Sequence, residues 1–161
     1  MQRVFLAPQQ IDRNERLNTS IFLGGSIDMG SAIDWQTQVI RSLEEYPVDI
    51  YNPRRTDWDS TWEQSIHNAQ FKEQVLWELD AQSKADVITY CFDPNGQAPI
   101  TLLELGLHHN KDIVVCCPPG YWRKGNVDIV CEYHGIPLVE TIDDMIRWLQ
   151  FRVDEDRSWR D

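Results

Sequence analysis

A carboxylate set among apolar residues is the first feature of this chain that could do chemistry. Glu104 lies in Leu102-Leu103-Glu104-Leu105-Gly106-Leu107, near the start of a helix-like segment. On a helix its neighbours three and four positions away are Ile100, Thr101, Leu107 and His108, a largely apolar face. A carboxylate there must be paired or must open into a cleft. Two readings fit: a structural, partly exposed glutamate, or a functional carboxylate that opens into a cleft.

Other polar residues collect where loops are expected. Gly24-Gly25-Ser26 follows an apolar run, and its backbone N–H groups could hold phosphate or hydroxyl oxygens. A plain tight turn explains the glycines equally well, because the spacing is not that of a dinucleotide or Walker site. The stretch Asn52-Pro53-Arg54-Arg55-Thr56-Asp57-Trp58-Asp59 mixes donors, acceptors and an aromatic ring. Trp58 could stack on a flat ring and Asp57 or Asp59 could take a hydroxyl. Alternatively the arginines pair with the aspartates at the surface. Asp93 and Gln97 sit in a further polar loop. Glu78 and Asp80 lie on a long helix, where carboxylates are mostly solvated. His67, His108, His109 and His134 show no ligand spacing, and no Cys-x-x-Cys occurs, so no metal site is expected. His108, one turn beyond Glu104, is expected at the surface rather than in the cleft.

Elements that would position these residues follow from hydrophobic patterning. Strands are expected at Ser20 to Gly25, Val48 to Tyr51, Asp86 to Phe92, Lys111 to Cys117 and Ile136 to Val139. Met1 to Ala7 can add an edge strand, and Arg13 to Asn18 reads as a loop. Ser31 suits the cap of a helix running to about Glu45. Ser60-Thr61-Trp62-Glu63 has capping-box spacing and should open a long helix, with Phe71, Val75 and Leu79 along one side. Pro99 fits the first position of a helix running to about His109. Short and long helices follow at Asn126 to Tyr133 and Thr141 to Val153. Strand and helix alternate, which predicts an α/β fold: three layers, with five mainly parallel strands between helices. Ligands in such folds sit beyond the carboxyl ends of the strands, where the loops above collect.

With 161 residues the chain suits one domain, 1–153, followed by a charged tail, 154–161, expected to be mobile. A net charge of −11 opposes binding to a nucleic acid polymer. It leaves room for a single nucleotide, because a local loop can outweigh a distant field. Seven tryptophans are many for this length, and they serve either as core or as pocket lining for flat ligands. Of Cys91, Cys116, Cys117 and Cys131, three lie in apolar contexts and read as core residues. No membrane span or signal peptide is recognisable, so a reducing, cytoplasmic setting without membrane partners is expected.

Taken in order, Ile21-Phe-Leu-Gly-Gly-Ser-Ile27, Tyr51-Asn-Pro-Arg-Arg55, Trp77-Glu-Leu-Asp80, Ala85-Asp-Val-Ile88, Leu102-Leu-Glu-Leu-Gly106 and Gly125-Asn126 resemble the nucleoside 2-deoxyribosyltransferase-like superfamily. The glycine loop is also similar to that of the related deoxynucleoside 5′-monophosphate N-glycosidases. The resemblance covers roughly residues 20 to 140 and implies a flavodoxin-like sheet. It implies Glu104 as the catalytic nucleophile, Glu78 facing the sugar, and Asn126 steadying the nucleophile of a neighbouring subunit. A homo-oligomer with shared sites follows from that. Expected substrates are a nucleoside or nucleotide and a free nucleobase, with no cofactor. Gly24, Gly25, Ser26, Asn52, Arg54, Asp57, Trp58 and Asp93 are the expected binding residues. A 2-deoxyribosyl group would pass through a covalent ester on Glu104 to a second base, or to water in a hydrolase. A non-catalytic nucleotide-binding module is the rival of another class.

Overall fold

The computed structural model describes residues 1–12, 18–26 and 34–159. Six parallel strands form one sheet in the order β1-β3-β2-β4-β5-β6. They are β1 (Arg3–Leu6), β2 (Thr19–Gly25), β3 (Val48–Asn52), β4 (Val87–Cys91), β5 (Ile113–Cys116) and β6 (Leu138–Val139). The strand added to the five expected is β1, at the N-terminal edge of the sheet. Central strands β3, β4 and β5 are buried at every residue, as a parallel sheet covered on both faces requires.

Helices α1 (Trp35–Ser42), α2 (Ala69–Lys84), α3 (Pro99–Leu107), α4 (Lys124–His134) and α5 (Ile142–Ser158) cover the sheet. Two separate cores show how they divide. Trp35 and Val39 of α1 and Met145 and Leu149 of α5 pack on one face. Trp77 and Ala81 of α2, Leu105 of α3, and Val127 and Cys131 of α4 pack on the other. From β2 the chain goes by α1 to β3, then crosses by α2 to β4 on the other side of β2. The strand order therefore reverses between β2 and β4, and a ligand crevice is expected at their carboxyl ends.

Several elements differ from expectation for local reasons. Ser31 lies outside the described residues. Helix α1 is capped by Asp34, whose side chain accepts from the backbone N–H of Thr37, and it ends at Ser42, short of Glu45. Helix α2 does not open at Ser60. Asp59 Oδ1 accepts from Thr61 N at 2.9 Å and from its hydroxyl at 2.6 Å, closing a turn that competes with a helix start. Asn68 caps α2 instead, accepting from Phe71 N at 2.9 Å. The buried side of α2 is Gln74, Trp77, Ala81 and Gln82, not the stripe of Phe71, Val75 and Leu79. Residues 154–158 continue α5. Arg152 pairs with Asp112 and Asp156, and Thr19 donates its hydroxyl to Asp156 at 3.0 Å, tying this end of the chain to β2. All four cysteines are buried and free.

Gly25 shows why the glycines stand where they do. Its φ of +147° disfavours a side chain, and a Cβ there would lie 2.3 Å from the carbonyl oxygen of Cys91 on β4. Gly25→Ala should therefore lower unfolding free energy by about 2–4 kcal/mol in urea titrations. An unchanged midpoint would show that β2 and β4 can separate without cost.

Candidate active site

Glu104 projects from the middle of α3 and is 9% exposed. Pro99 starts this helix, and Ala98 before it holds φ +45°, a left-handed conformation uncommon for a residue with a side chain. The loop that imposes it is pinned at Gln97, whose carbonyl accepts from the Tyr121 hydroxyl at 2.6 Å and from Trp122 Nε1 at 3.1 Å. Strain here is held by tertiary contacts, a pattern common at functional sites.

Facing α3, helix α2 presents Gln74, Glu78 and Gln82, spaced four apart and so on one face. Gln82 Nε2 donates to Glu104 Oε2. Its Oε1 accepts from the Tyr90 hydroxyl at 2.6 Å, on β4. His108 Nδ1 lies 3.3 Å from that hydroxyl and 3.1 Å from the Glu104 carbonyl oxygen. His108 is thus half-buried beside the cluster, not at the surface. One turn along α2, Glu78 Oε1 accepts from Gln74 Nε2 at 3.2 Å, and the same amide donates to the Pro53 carbonyl at 2.9 Å.

Two carboxylates are thereby brought together without an ion-pair partner among the described residues. Burial pushes Glu104 up to about 7, opposed by the Gln82 hydrogen bond. Burial first, and then the charge of Glu104, push Glu78 up to about 8, opposed by Gln74. Near neutral pH one carboxyl group stays protonated while the other is partly ionised. A group that can give up a proton therefore lies beside a partly ionised carboxylate, their states divided by environment. Burial also pushes the Tyr90 hydroxyl far above its ordinary value, so it remains a donor. Gln82→Met removes the donor to Glu104. The apparent pKa of Glu104 should then rise by about 1, read by NMR of carbon-13-labelled glutamate. A fall would show that the glutamine does not stabilise the charged form.

The remaining expected residues lie around the strand ends. Ser26 N donates to the Cys91 carbonyl at 2.9 Å, and Ser26 Oγ accepts from Asp93 N at 3.0 Å, bridging β2 and β4 at the reversal point. Asn52 is buried at the end of β3 and accepts from Arg54 N at 3.1 Å. Arg54 reaches Gln36 Oε1 at 3.3 Å and Asp34 at 3.7 Å. Gln36 is fully buried, and its Nε2 has no partner among the described residues. Asp57 is exposed and paired with Arg55 at 2.9 Å, which fits the surface-pairing reading of that loop. Trp58 packs edge-on against Trp62 at 5.1 Å, with its own Nε1 buried and unpartnered. Asp93 accepts from Asn95 N at 2.8 Å and lines a cavity on the α1 and α5 face, away from Glu104. Asn126 is exposed on α4. Among the described residues, no group of three or more His, Cys, Asp and Glu side chains is placed to hold a metal ion. None of their helices is long and apolar enough to cross a membrane.

Sequence reading missed Gln36, Gln74, Gln82 and Tyr90. The Gln-x-x-x-Glu-x-x-x-Gln spacing on α2 was the available signal, since it places three polar side chains along one helical stripe.

No curated protein matches the chain in sequence. A crystal structure of a conserved protein from Enterococcus faecalis V583 shares the fold, with a TM-score of 0.59 at 13% identity, covering 84% of this chain and 99% of that one. The family model described as "Nucleoside 2-deoxyribosyltransferase like" matches residues 18–121, a span that holds the glycine loop, the α2 stripe and Glu104. This span is well over half of the chain, and it places the protein in the nucleoside 2-deoxyribosyltransferase-like family.

Proposed function

We propose that the protein cleaves the N-glycosidic bond of a 2′-deoxynucleoside and transfers the deoxyribosyl group to another base. The observation that carries this reading is the Glu78–Glu104 pair, buried between α2 and α3 with pKa values near 8 and 7. Glu104 attacks C1′ as the bond from C1′ to the base nitrogen breaks, and the base leaves with the proton that Glu78 gives up. A nitrogen of the incoming base then attacks C1′, frees Glu104 and returns its proton to Glu78. Glu78, protonated at neutral pH, is the acid of the pair and faces the sugar. Gly24, Gly25, Ser26, Asn52, Arg54 and Trp58 border the substrate cleft from the strand ends and loops in this reading, whereas Asp93 faces the α1 and α5 side and Asp57 is engaged by Arg55 at the surface, so neither is carried into it.

A homo-oligomer belongs to this reading. Asn126 shares one stripe of α4 with Ile129, Val130 and Tyr133, all exposed. Neighbouring α3 exposes Ile100, Leu103 and Leu107. An apolar surface of this kind suits a protein partner. A second copy seated there would bring its Asn126 towards a site.

A second reading, hydrolysis of a deoxynucleoside 5′-monophosphate, is favoured by one observation. The unpartnered Gln36 amide lies beside Arg54, and together they offer donors to a phosphate.

Chromatography of reactions with deoxyinosine or thymidine, with and without adenine, separates these readings. A deoxyadenosine peak only when adenine is present establishes transfer. Free base and sugar from deoxynucleoside monophosphates establish hydrolysis. No turnover across both substrate classes would favour a binding module.

A further inference from the structure

Strands β4 and β5 carry a second chemical feature at their carboxyl ends, on the sheet face away from Glu104. Cys91 and Cys116 are register partners in this parallel pair, so their side chains stand side by side. Both belong to the core under α1 and α5. Both also line a cavity of about 210 Å³, together with Trp35, Phe92, Asp93 and Glu140. That space admits small, water-sized molecules. Cys117 and Cys131 lie in the opposite core, under α2, α3 and α4, and do not line this cavity.

We propose that Cys91 and Cys116 form a reactive dithiol that takes a small hydroperoxide as its co-reactant. The Cys116 thiolate attacks one peroxide oxygen, the O–O bond breaks, and Cys116 is oxidised to a sulfenic acid as hydroxide leaves. The Cys91 sulfur, giving up its proton, attacks the sulfenic sulfur. A disulfide forms and water departs, so two thiols lose two electrons and hydrogen peroxide becomes two waters. Neighbouring strands lie about 4.7–4.9 Å apart, within the Cα separation of about 4.4–6.8 Å that a disulfide spans.

Chemistry divides the two roles in the same way. The hydrogen bond donated by Cys91 holds the Cys116 thiol below its ordinary range and raises Cys91. The thiolate is the nucleophile, so Cys116 reacts first. Burial pushes Cys117 up to about 12 and Cys131 up to about 11, which makes them internal controls.

The test treats the full-length protein with hydrogen peroxide, blocks remaining thiols, and maps tryptic peptides by mass spectrometry. Cys91 lies on one tryptic peptide and Cys131 on another, while Cys116 and Cys117 share a third and are told apart by fragment ions. The expected result is an intramolecular Cys91–Cys116 link forming at least tenfold faster than any oxidation of Cys117 or Cys131. In Cys91→Ala the sulfenic acid on Cys116 should persist and be trapped by a 1,3-dione. Equal oxidation of all four thiols, only intermolecular links, or an unreactive pair in the folded native chain would each overturn the proposal. The native-chain result stands without the variant, so a variant that fails to fold does not remove the test.

Discussion

Glu104→Gln should lose base release by on the order of 10³- to 10⁶-fold, the range seen when an enzyme loses its nucleophile, while gaining stability above neutral pH. The amide keeps the shape of the side chain but cannot form an ester with C1′. Rate assays with a deoxynucleoside and intact-mass spectra of quenched reactions measure the loss. The wild type should show a deoxyribosyl adduct and the variant none. Stability follows from the raised carboxyl group. Its pKa goes from an ordinary 4.5 in the unfolded chain to about 7 in the fold. Its contribution is full below pH 4.5 and is lost as pH rises through 7, because the unfolded chain releases the proton first. The variant does not titrate, so it should exceed wild type by about 1–3 kcal/mol at pH 8. The loss of the Gln82 bond to a carboxylate reduces that gain. A variant that still releases base would remove Glu104 from the reaction. A variant that is inactive and also less stable at pH 8 would make the residue structural.

The pH–rate profile should be a narrow bell. Glu104 must be ionised to attack, so kcat/KM rises through about pH 7. Glu78 must be protonated, so the rate falls above about pH 8. Beyond each limb the rate should change about tenfold per pH unit. Because each charge acts on the other group, the two values belong to the pair. Glu78→Gln should abolish the alkaline limb and leave the acid limb in place, with a lower plateau. It should also stabilise the fold at pH 9. There the wild type holds two unpaired carboxylates together, and Glu78 loses its contribution as pH rises from 4.5 through 8. A profile that stays flat from pH 6 to 9, or an alkaline limb that survives in Glu78→Gln, would mean that the pair does not control the reaction.

The α/β class and parallel sheet were legible because β2, β4 and β5 hold short apolar runs and helical segments separate the strands. Pro99 marked the start of α3, since proline at the first helical position loses no hydrogen bond. The start of α2 was misread because a capping-box spacing at Ser60 competes with a turn closed by Asp59, and only the folded loop decides between them. The buried side of α2 was misread for a different reason. Hydrophobic periodicity assumes an apolar interior, yet this helix turns Gln74 and Gln82 inward to meet Pro53, Glu78, Glu104 and Tyr90. Local rules are expected to fail at such places.

The sequence by itself determined the layer architecture, the loops at the strand ends and the prominence of Glu104. These depend on periodicity and on short motifs, which are properties of neighbours along the chain. Tertiary structure alone decided that Glu78 stands against Glu104, that Gln82 and Tyr90 support it, and that Asp93 serves the other face of the sheet. Those relations join residues many positions apart. Their effect on charge comes from burial and from the distance between groups, which no local pattern encodes.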